Sequence, residues 1–547
     1  MYCGAPRFVP RFVPRFRGTG RFLSSTTNTT DRGSQNQRHQ RSQEIPRSSV
    51  FLGSAISASA AALAGLWLGL SQASVAEAEG SPRYADRADW ERAVDAIRNA
   101  LGEDAVSIED EILQAHGYSE WSTTNIDRLP VAVVYPSSTE EVSTIAKICH
   151  EFRVPMVPYS GGSSVEGHFS APFGGIVRMY SEDMNVVVQP SVSWMDLNRA
   201  IRDEGLFFPI DPGPSAQIGG MIGTNCSGTN AVRYGTMKDW VVNLTVVLSD
   251  GTIVKTRRRP RKSSAGYNLN SVIVGSEGTL GFVTEATLKL TPIPEETGVA
   301  VVALPTIKDA ADLAVEVIRK NVPVGAVEIL DEALMGVINK AGVTSRVWAV
   351  APTLFFKFSG SASSVQDNIR EVKNIAKKYD TKDFQYESNS VEQARLWSAR
   401  KEALWTILAL REKEGSVWST DVAVPLSRVA ELIELSKQDL QALGLFGSIL
   451  GHVGDGNFHE TILFSGEKER AAVEHCVHEM VRRALEMDGT CTGEHGIGLG
   501  KKEFLLEEVG PEAVAVMRSI KRSLDPRWLM NPGKIFDAEP LQTGGKV

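Results

Sequence analysis

The residues best suited to chemistry in this 547-residue chain are His452, His459 and the Glu494-His495 pair, which stands between Gly493 and Gly496. Between the two histidines run Val453-Gly454-Asp455-Gly456-Asn457-Phe458. Asp-Gly is a strong signal for a two-residue hairpin turn, whose two central residues both take positive φ. Such a turn pairs residue 454 with 457, 453 with 458 and 452 with 459. Directly opposed side chains then have Cβ atoms roughly 5 Å apart. Two imidazoles so placed suit one divalent metal, and Glu494 can supply a third ligand. Zinc fits this donor set best, with manganese or iron also allowed. A metal held this way acts as a Lewis acid on a bound oxygen. The competing arrangement is a pair of hydrogen-bonded structural histidines on a strand.

Glycine spacing points to a second, extended ligand. The strand-like Val154–Pro158 runs into Tyr159-Ser160-Gly161-Gly162-Ser163-Ser164-Val165-Glu166-Gly167-His168. Glycines and hydroxyls packed this way leave several backbone N–H groups free to converge on phosphate oxygens. The loop is neither a Walker A motif nor a GxGxxG fingerprint. A second dense region runs from Asp211 to Gly235 and a third from Val274 to Gly281. Three glycine clusters at strand termini imply backbone close to a long ligand.

The elements that must position these residues are readable around them. Val131–Tyr135 reads as a short strand, followed by a helix capped by Ser138 or Thr139. Val241–Leu248, a turn at Asp250-Gly251, Thr252–Thr256 and Phe282–Leu290 read as strands. In the second half, strand-like Val299–Leu304 and Thr353–Phe358 alternate with helical Ile307–Lys320, Ser363–Lys378 and Val429–Leu443. That alternation reads as an antiparallel sheet with covering helices, an α+β arrangement.

Size and composition set the frame. A chain this long implies two or three domains. With 42% apolar and 23% charged residues it has the make-up of a globular protein, and a net charge of −8 gives no reason to expect nucleic acid. Five cysteines without CxxC spacing argue against a disulfide framework or zinc ribbon. Residues 1–50 hold nine arginines, no lysine and only Asp31 and Glu44 as acids, the composition of a mitochondrial transit peptide. Pro10 and Pro14 fall where an amphipathic helix should continue. Residues 51–71 carry no charge and are long enough to cross a bilayer. Arginines before them and acids after them place the bulk of the protein in the intermembrane space. A cleaved sorting signal is the alternative.

Taken together, the glycine clusters resemble the flavin-binding domain of the vanillyl-alcohol-oxidase (PCMH-type) family. The resemblance implies FAD, held without a covalent bond. Its pyrophosphate would lie on Tyr159, Ser160, Gly161, Gly162, Ser163, Ser164 and Gly167. Pro212, Gly219, Gly220, Gly223, Thr224, Ser227, Gly228, Gly235 and Gly278 would lie along the flavin and ribityl chain, with Asn531 in the closing Asn531-Pro532-Gly533-Lys534-Ile535. The second half resembles the cap domain of the D-lactate and D-2-hydroxyglutarate dehydrogenase branch, whose metal set matches His452, His459 and Glu494. The implied layout is a transit peptide (1–50), an anchor (51–71), a linker with helices (72–127), a two-subdomain FAD domain (128–297), a cap (298–510) and a segment returning to the FAD domain (511–547).

The resemblance also implies the reaction. A D-2-hydroxy acid gives a hydride to flavin and a proton to a base. His495 is the choice, since it adjoins a metal ligand and imidazole titrates near neutral pH. In extended chain Glu494 and His495 would point opposite ways. Arg400 matches the family's carboxylate-binding arginine, and Asn457 matches a residue near the substrate or simply stabilises the turn. Diacid-oxidising relatives carry a lysine and a threonine where Ser419 and Leu404 stand here, which favours a substrate with one carboxylate, such as D-lactate. Trp397 and Trp405 wall the pocket or pack in a core. Cytochrome c is the implied acceptor, and the inner membrane the implied location. D-2-hydroxyglutarate or glycolate oxidation, a redox-neutral flavoenzyme and a non-catalytic tethered relative are the alternatives.

Overall fold

The computed structural model describes residues 82–538, apart from 120, 121, 123, 127, 163–174, 382 and 412–414. The transit-peptide and anchor readings therefore lie outside the described residues. Among the described residues no helix is long and apolar enough to cross a membrane.

Two antiparallel sheets organise the chain. The first has five strands in the order Ile176–Tyr180, Asn185–Val188, Phe282–Lys289, Val241–Val247, Ile253–Lys255. Its hairpin at Asp250-Gly251 needs glycine, because Gly251 has φ 83° and a Cβ there would meet the Ser143 carbonyl at 2.7 Å. The helix Thr139–Phe152 starts where Ser138 accepts a hydrogen bond from the Glu141 N–H, satisfying one of the helix's unpaired donors. It packs with the helix Arg87–Leu101 and the Val106–Ser107/Val133–Val134 ribbon in a core that includes Ile97, Val106, Ile145, Val247 and Met530. The expected strand at Val154–Pro158 is reduced to one parallel bridge, Met156 to Met530. The Met156 N–H donates to the Leu529 carbonyl, and the Asn531 N–H to the Met156 carbonyl, each at 2.7 Å. The chain's last described segment thus closes against its first glycine loop.

The second sheet has eight strands. Seven run in the order Asp383–Glu387, Glu296–Ala303, Thr353–Gly360, Val324–Leu330, Phe446–Gly451, Asn457–Phe464, Ser416–Ser419, and Val422–Ala423 pairs with the start of Asn457–Phe464. Alternation along Thr353–Gly360 sends successive side chains to opposite faces. Phe356 and Phe358 pack with the helices Ile307–Arg319 and Val429–Leu443. Phe355 packs on the other side with Glu332–Ala341 and Ser390–Leu408. Each fully buried phenylalanine contributes about 2–3 kcal/mol relative to exposure. Among the described residues all the paired strands are antiparallel, so the α+β architecture with a helix-covered second sheet is the one the sequence implied.

Candidate active site and metal centre

A continuous cavity of about 1300 Å³ joins the two sheets. That exceeds the range of roughly 300–1,000 Å³ usual for small-ligand pockets and suits a ligand as long as a dinucleotide. Tyr159, Ser160, Gly161, Gly162, Pro212, Gly219, Gly220, Gly223, Thr224, Gly228, Gly278 and Asn531 line it. Ser163, Ser164 and Gly167 lie outside the described residues. The central glycines are not a loop: Ile218–Thr224 is a short helix. Gly219 is needed because a Cβ there would stand 2.7 Å from Pro190. Gly220 and Gly223 face the cavity, where a Cβ would meet nothing closer than 3.8 Å. The walls therefore fit the flavin nucleotide the glycine pattern called for.

Two residues expected on the cofactor stand elsewhere. Gly235 has φ 75° and is packed against the Asp239 carboxylate of a capping box, so its glycine serves a helix start. Ser227 does not line the cavity; its hydroxyl donates to Glu494 Oε2 at 2.6 Å. It supports the Glu494 carboxylate instead.

The histidines meet, but not through the expected turn. Leu450 pairs with His459 and Ile449 with Glu460, so His452 is not opposite His459. Val453–Asp455 forms a helical turn, and Gly456 alone takes positive φ, at 76°. A Cβ at Gly456 would stand 2.2 Å from the Val424 carbonyl, so the backbone just past the strand Val422–Ala423 leaves room only for glycine in this longer connection. The rings lie 5.5 Å apart at 87°. His452 Nε2 is 3.3 Å and His459 Nε2 3.4 Å from Glu494 Oε1. His452 Nδ1 bonds Glu328 Oε1 at 2.8 Å, and His459 Nδ1 bonds the Thr420 carbonyl at 3.0 Å. With Nδ1–H donated to oxygen, each ring presents an Nε2 lone pair toward the shared point, the usual way a metal-ligating histidine is oriented. The three donors fit a divalent metal.

Asp421, Glu328 and Lys357 were not singled out from the sequence, although they hold the site together. Asp421 is buried and accepts from Asn457 Nδ2, Thr492 Oγ1 and the N–H groups of Glu494 and His495, all at 2.8–2.9 Å. Two successive N–H groups on one oxygen require a bend, so the Glu494-His495 segment is not extended as expected. Asp421, His459 and His495 also cluster closely enough for a metal. With its lone pairs engaged and the Lys501 ammonium 3.9 Å away, Asp421 is the poorer candidate. Asn457 donates to Asp421 and to the Val422 carbonyl and does not line the cavity. It stands behind the His452, His459 and Glu494 donors and off the cavity wall.

Fully buried Glu328 bridges His452 Nδ1 and Arg400 Nε, the latter at 2.8 Å. Arg400, Trp397, Trp405, Leu404 and Ser419 all line the cavity, and Trp397 also packs on the core around Phe355, so Trp405 is wall and Trp397 is both. Trp405 is 51% exposed. Lys357 lines the same wall, which corrects the expectation of a single cation: short-motif matching cannot see a lysine contributed by a neighbouring strand. Glu277, beside the third glycine cluster, accepts the N–H groups of Ile497 and Gly498 at 2.7 and 2.8 Å. It ties the cofactor side to the segment after His495.

Charges follow from these contacts. Burial would raise Asp421, and its cationic neighbours hold it down. For His495 burial wins, pushing the imidazole down to about 4 against the pull of Asp421. His495 lines the cavity, stacks on His459 at 5.0 Å and 14°, and has a buried Nδ1 with no hydrogen-bond partner among the described residues. A neutral imidazole there can accept a proton.

Residues 130–257 match the family model of an FAD binding domain, and residues 293–535 that of the FAD linked oxidases, C-terminal domain. The chain is 45% identical over 482 residues to a protein of Kluyveromyces lactis named D-lactate dehydrogenase (cytochrome), mitochondrial, covering 84% of both chains. It is 45% identical over 483 residues to D-lactate dehydrogenase (cytochrome) 1, mitochondrial, of Saccharomyces cerevisiae, covering 84% of this chain and 82% of that one. Among solved structures, 4-ethylphenol oxidase from Gulosibacter chungangensis is similar with a TM-score of 0.68 at 15% identity, over 83% of this chain and 98% of that one. That last likeness is one of fold.

Proposed function

The chain belongs to the FAD-linked oxidases, in the branch of the mitochondrial D-lactate dehydrogenases, and from that premise we propose that it oxidises D-lactate to pyruvate and delivers the electrons to cytochrome c. The observation that carries the proposal is the approach of His452 Nε2 and His459 Nε2 to within 3.4 Å of Glu494 Oε1, beside His495, on the wall of the cavity lined by the glycines.

FAD, held along the glycine clusters, supplies the hydride acceptor. A divalent metal on His452, His459 and Glu494 supplies a Lewis acid that makes an alcohol easier to deprotonate. The chain's own groups do the rest. Arg400, steadied through Nε by Glu328, binds the lactate carboxylate and fixes which face of C2 meets the cofactor. His495, neutral through burial, takes the hydroxyl proton. Asp421 keeps Glu494 and His495 on one bend, so ligand and base cannot drift apart. Trp397 and Leu404 close the wall around a small acid.

The arginine-rich leader and the uncharged 51–71 segment support an inner-membrane location with the catalytic part in the intermembrane space. A soluble haem protein could take electrons there. The chain holds no CxxCH haem motif of its own.

Anaerobic stopped-flow tests the reading. D-lactate is expected to bleach the flavin at least about tenfold faster than D-2-hydroxyglutarate. Chelator-treated protein should keep its FAD yet reduce it at least about 100-fold more slowly, since such a metal supplies several kcal/mol. Faster bleaching by the diacid would sink the substrate assignment. Bleaching indifferent to chelation would remove the metal from the mechanism.

A further inference from the structure

Glu328 and Lys357 rise from the same face of the second sheet. Glu328 pairs with Phe355 and Ala326 with Lys357, and paired residues on antiparallel strands project to one side. Small Ala326 leaves room beside the lysine stem. Above them one turn of the helix Ser390–Leu408 presents Trp397 and Arg400, neighbours at i and i+3. Arg400 lies on Glu328. The Lys357 ammonium lies over the Trp397 ring, 4.1 Å from its centroid.

The donor inventory of this pair is incomplete within the protein. An ammonium has three N–H donors. One reaches Thr229 Oγ1 at 3.3 Å and another faces the indole. The nearby acids are engaged elsewhere. Asp211 accepts from Thr229 Oγ1 and the Asn230 N–H, and Glu328 is taken by His452 and Arg400. Among the described residues no carboxylate forms an ion pair with Lys357. Arg400 uses only its Nε on Glu328, and its terminal nitrogens have no partner among the described residues. Both cations line the cavity that holds His495. Burial lowers the lysine below its ordinary range, against the pull of Asp211 and Glu328, as expected of a cation whose neighbouring acids are already engaged.

We propose that Lys357 is a substrate-binding residue, which with Arg400 holds one and the same carboxylate of the 2-hydroxy acid. The inference rests on the reading given under Proposed function. A buried carboxylate needs paired charge to offset lost hydration. Arg400 supplies a planar edge and Lys357 a point charge from the sheet below, kept in place by the indole face. Both cations approach from the Glu328 side, so a lone small acid satisfies them without a second carboxylate.

The test is Lys357→Met, with Lys357→Arg as the conservative variant, assayed with D-lactate and with uncharged D-lactamide as a competitive inhibitor. Losing a hydrogen bond to a charged group predicts a KM for D-lactate raised roughly 10- to 100-fold. We expect kcat within about threefold of the parent, unchanged FAD and metal content, an unchanged inhibition constant for D-lactamide, and substantial recovery in the arginine variant. If the methionine variant fails to fold, Lys357→Gln reads the same quantities. An unchanged KM overturns the inference, as does equal weakening of D-lactamide or loss of FAD. A defect confined to D-2-hydroxyglutarate also overturns it, since Lys357 would then serve a second carboxylate. Failure of the parent protein to reduce its flavin with D-lactate would instead sink the function on which the inference rests.

Discussion

Replacing His495 by alanine is expected to lower kcat for D-lactate roughly 10²- to 10⁴-fold, the usual worth of a positioned general base, while FAD and metal stay bound. The expectation rests on what the ring does and does not touch. Its Nδ1 is buried without a hydrogen-bond partner among the described residues, 3.9 Å from Asp421 Oδ2, and the ring lines the cavity beside His452, His459 and Glu494. The alternative role is structural, because the ring also stacks on His459. Metal affinity separates the two. A base lost from an intact centre leaves the metal dissociation constant within about threefold and slows flavin reduction in a single turnover. A missing buttress loosens the metal as well. His495→Ala protein that binds metal normally and reduces its flavin within tenfold of the parent rate would refute the assignment.

The sequence made the three convergent donors legible because their chemistry is carried by residue type. Histidine, glutamate and glycine clusters are rare enough in combination that His452, His459, Glu494 and most of the cavity glycines could be named without coordinates. The route by which the histidines meet could not be read. Asp455-Gly456 carries a hairpin signal, but the Val424 carbonyl lies where a Cβ on residue 456 would go, and that tertiary contact leaves room only for glycine there. The supporting groups were missed for a related reason. Glu328 and Lys357 sit in the strands Val-Gly-Ala-Val-Glu-Ile-Leu and Thr-Leu-Phe-Phe-Lys-Phe, where a lone charge reads as an edge or surface residue. Only strand pairing shows that both face the helix carrying Arg400. One local signal was available: a charged residue in an otherwise apolar strand with buried neighbours on both sides requires a partner. Ser227 and Gly235 were misplaced because glycine-rich segments share composition whether they face a cofactor, a carboxylate or a helix cap.

Asp421 is where the largest structural loss is expected. Its two oxygens gather four donors from two segments: Asn457 at the histidine connection, and Thr492, Glu494 and His495 on the bend. Lys501 stands 3.9 Å away and adds charge rather than a close bond. Removing the carboxylate by Asp421→Ala strands these donors, and each buried donor left unsatisfied costs roughly 1–3 kcal/mol. The bend then has nothing to hold Glu494 and His495 together. Metal affinity should fall at least about 10- to 100-fold, as for other groups that orient ligands, and kcat/KM further, because ligand and base move at once. Asparagine should not rescue the function. One oxygen of Asp421 serves Asn457 and the other serves the bend, so an amide must turn its NH₂ either toward the Asn457 NH₂ or toward the N–H groups of Glu494 and His495. Each choice sets donor against donor. Thermal unfolding, metal competition titration and steady-state kinetics on Asp421→Ala and Asp421→Asn therefore form one experiment, in which the two variants should be similarly impaired. An asparagine variant with near-parent metal affinity and turnover would show that the carboxylate's charge and second acceptor oxygen are dispensable, and the bend would have to be held by something other than Asp421.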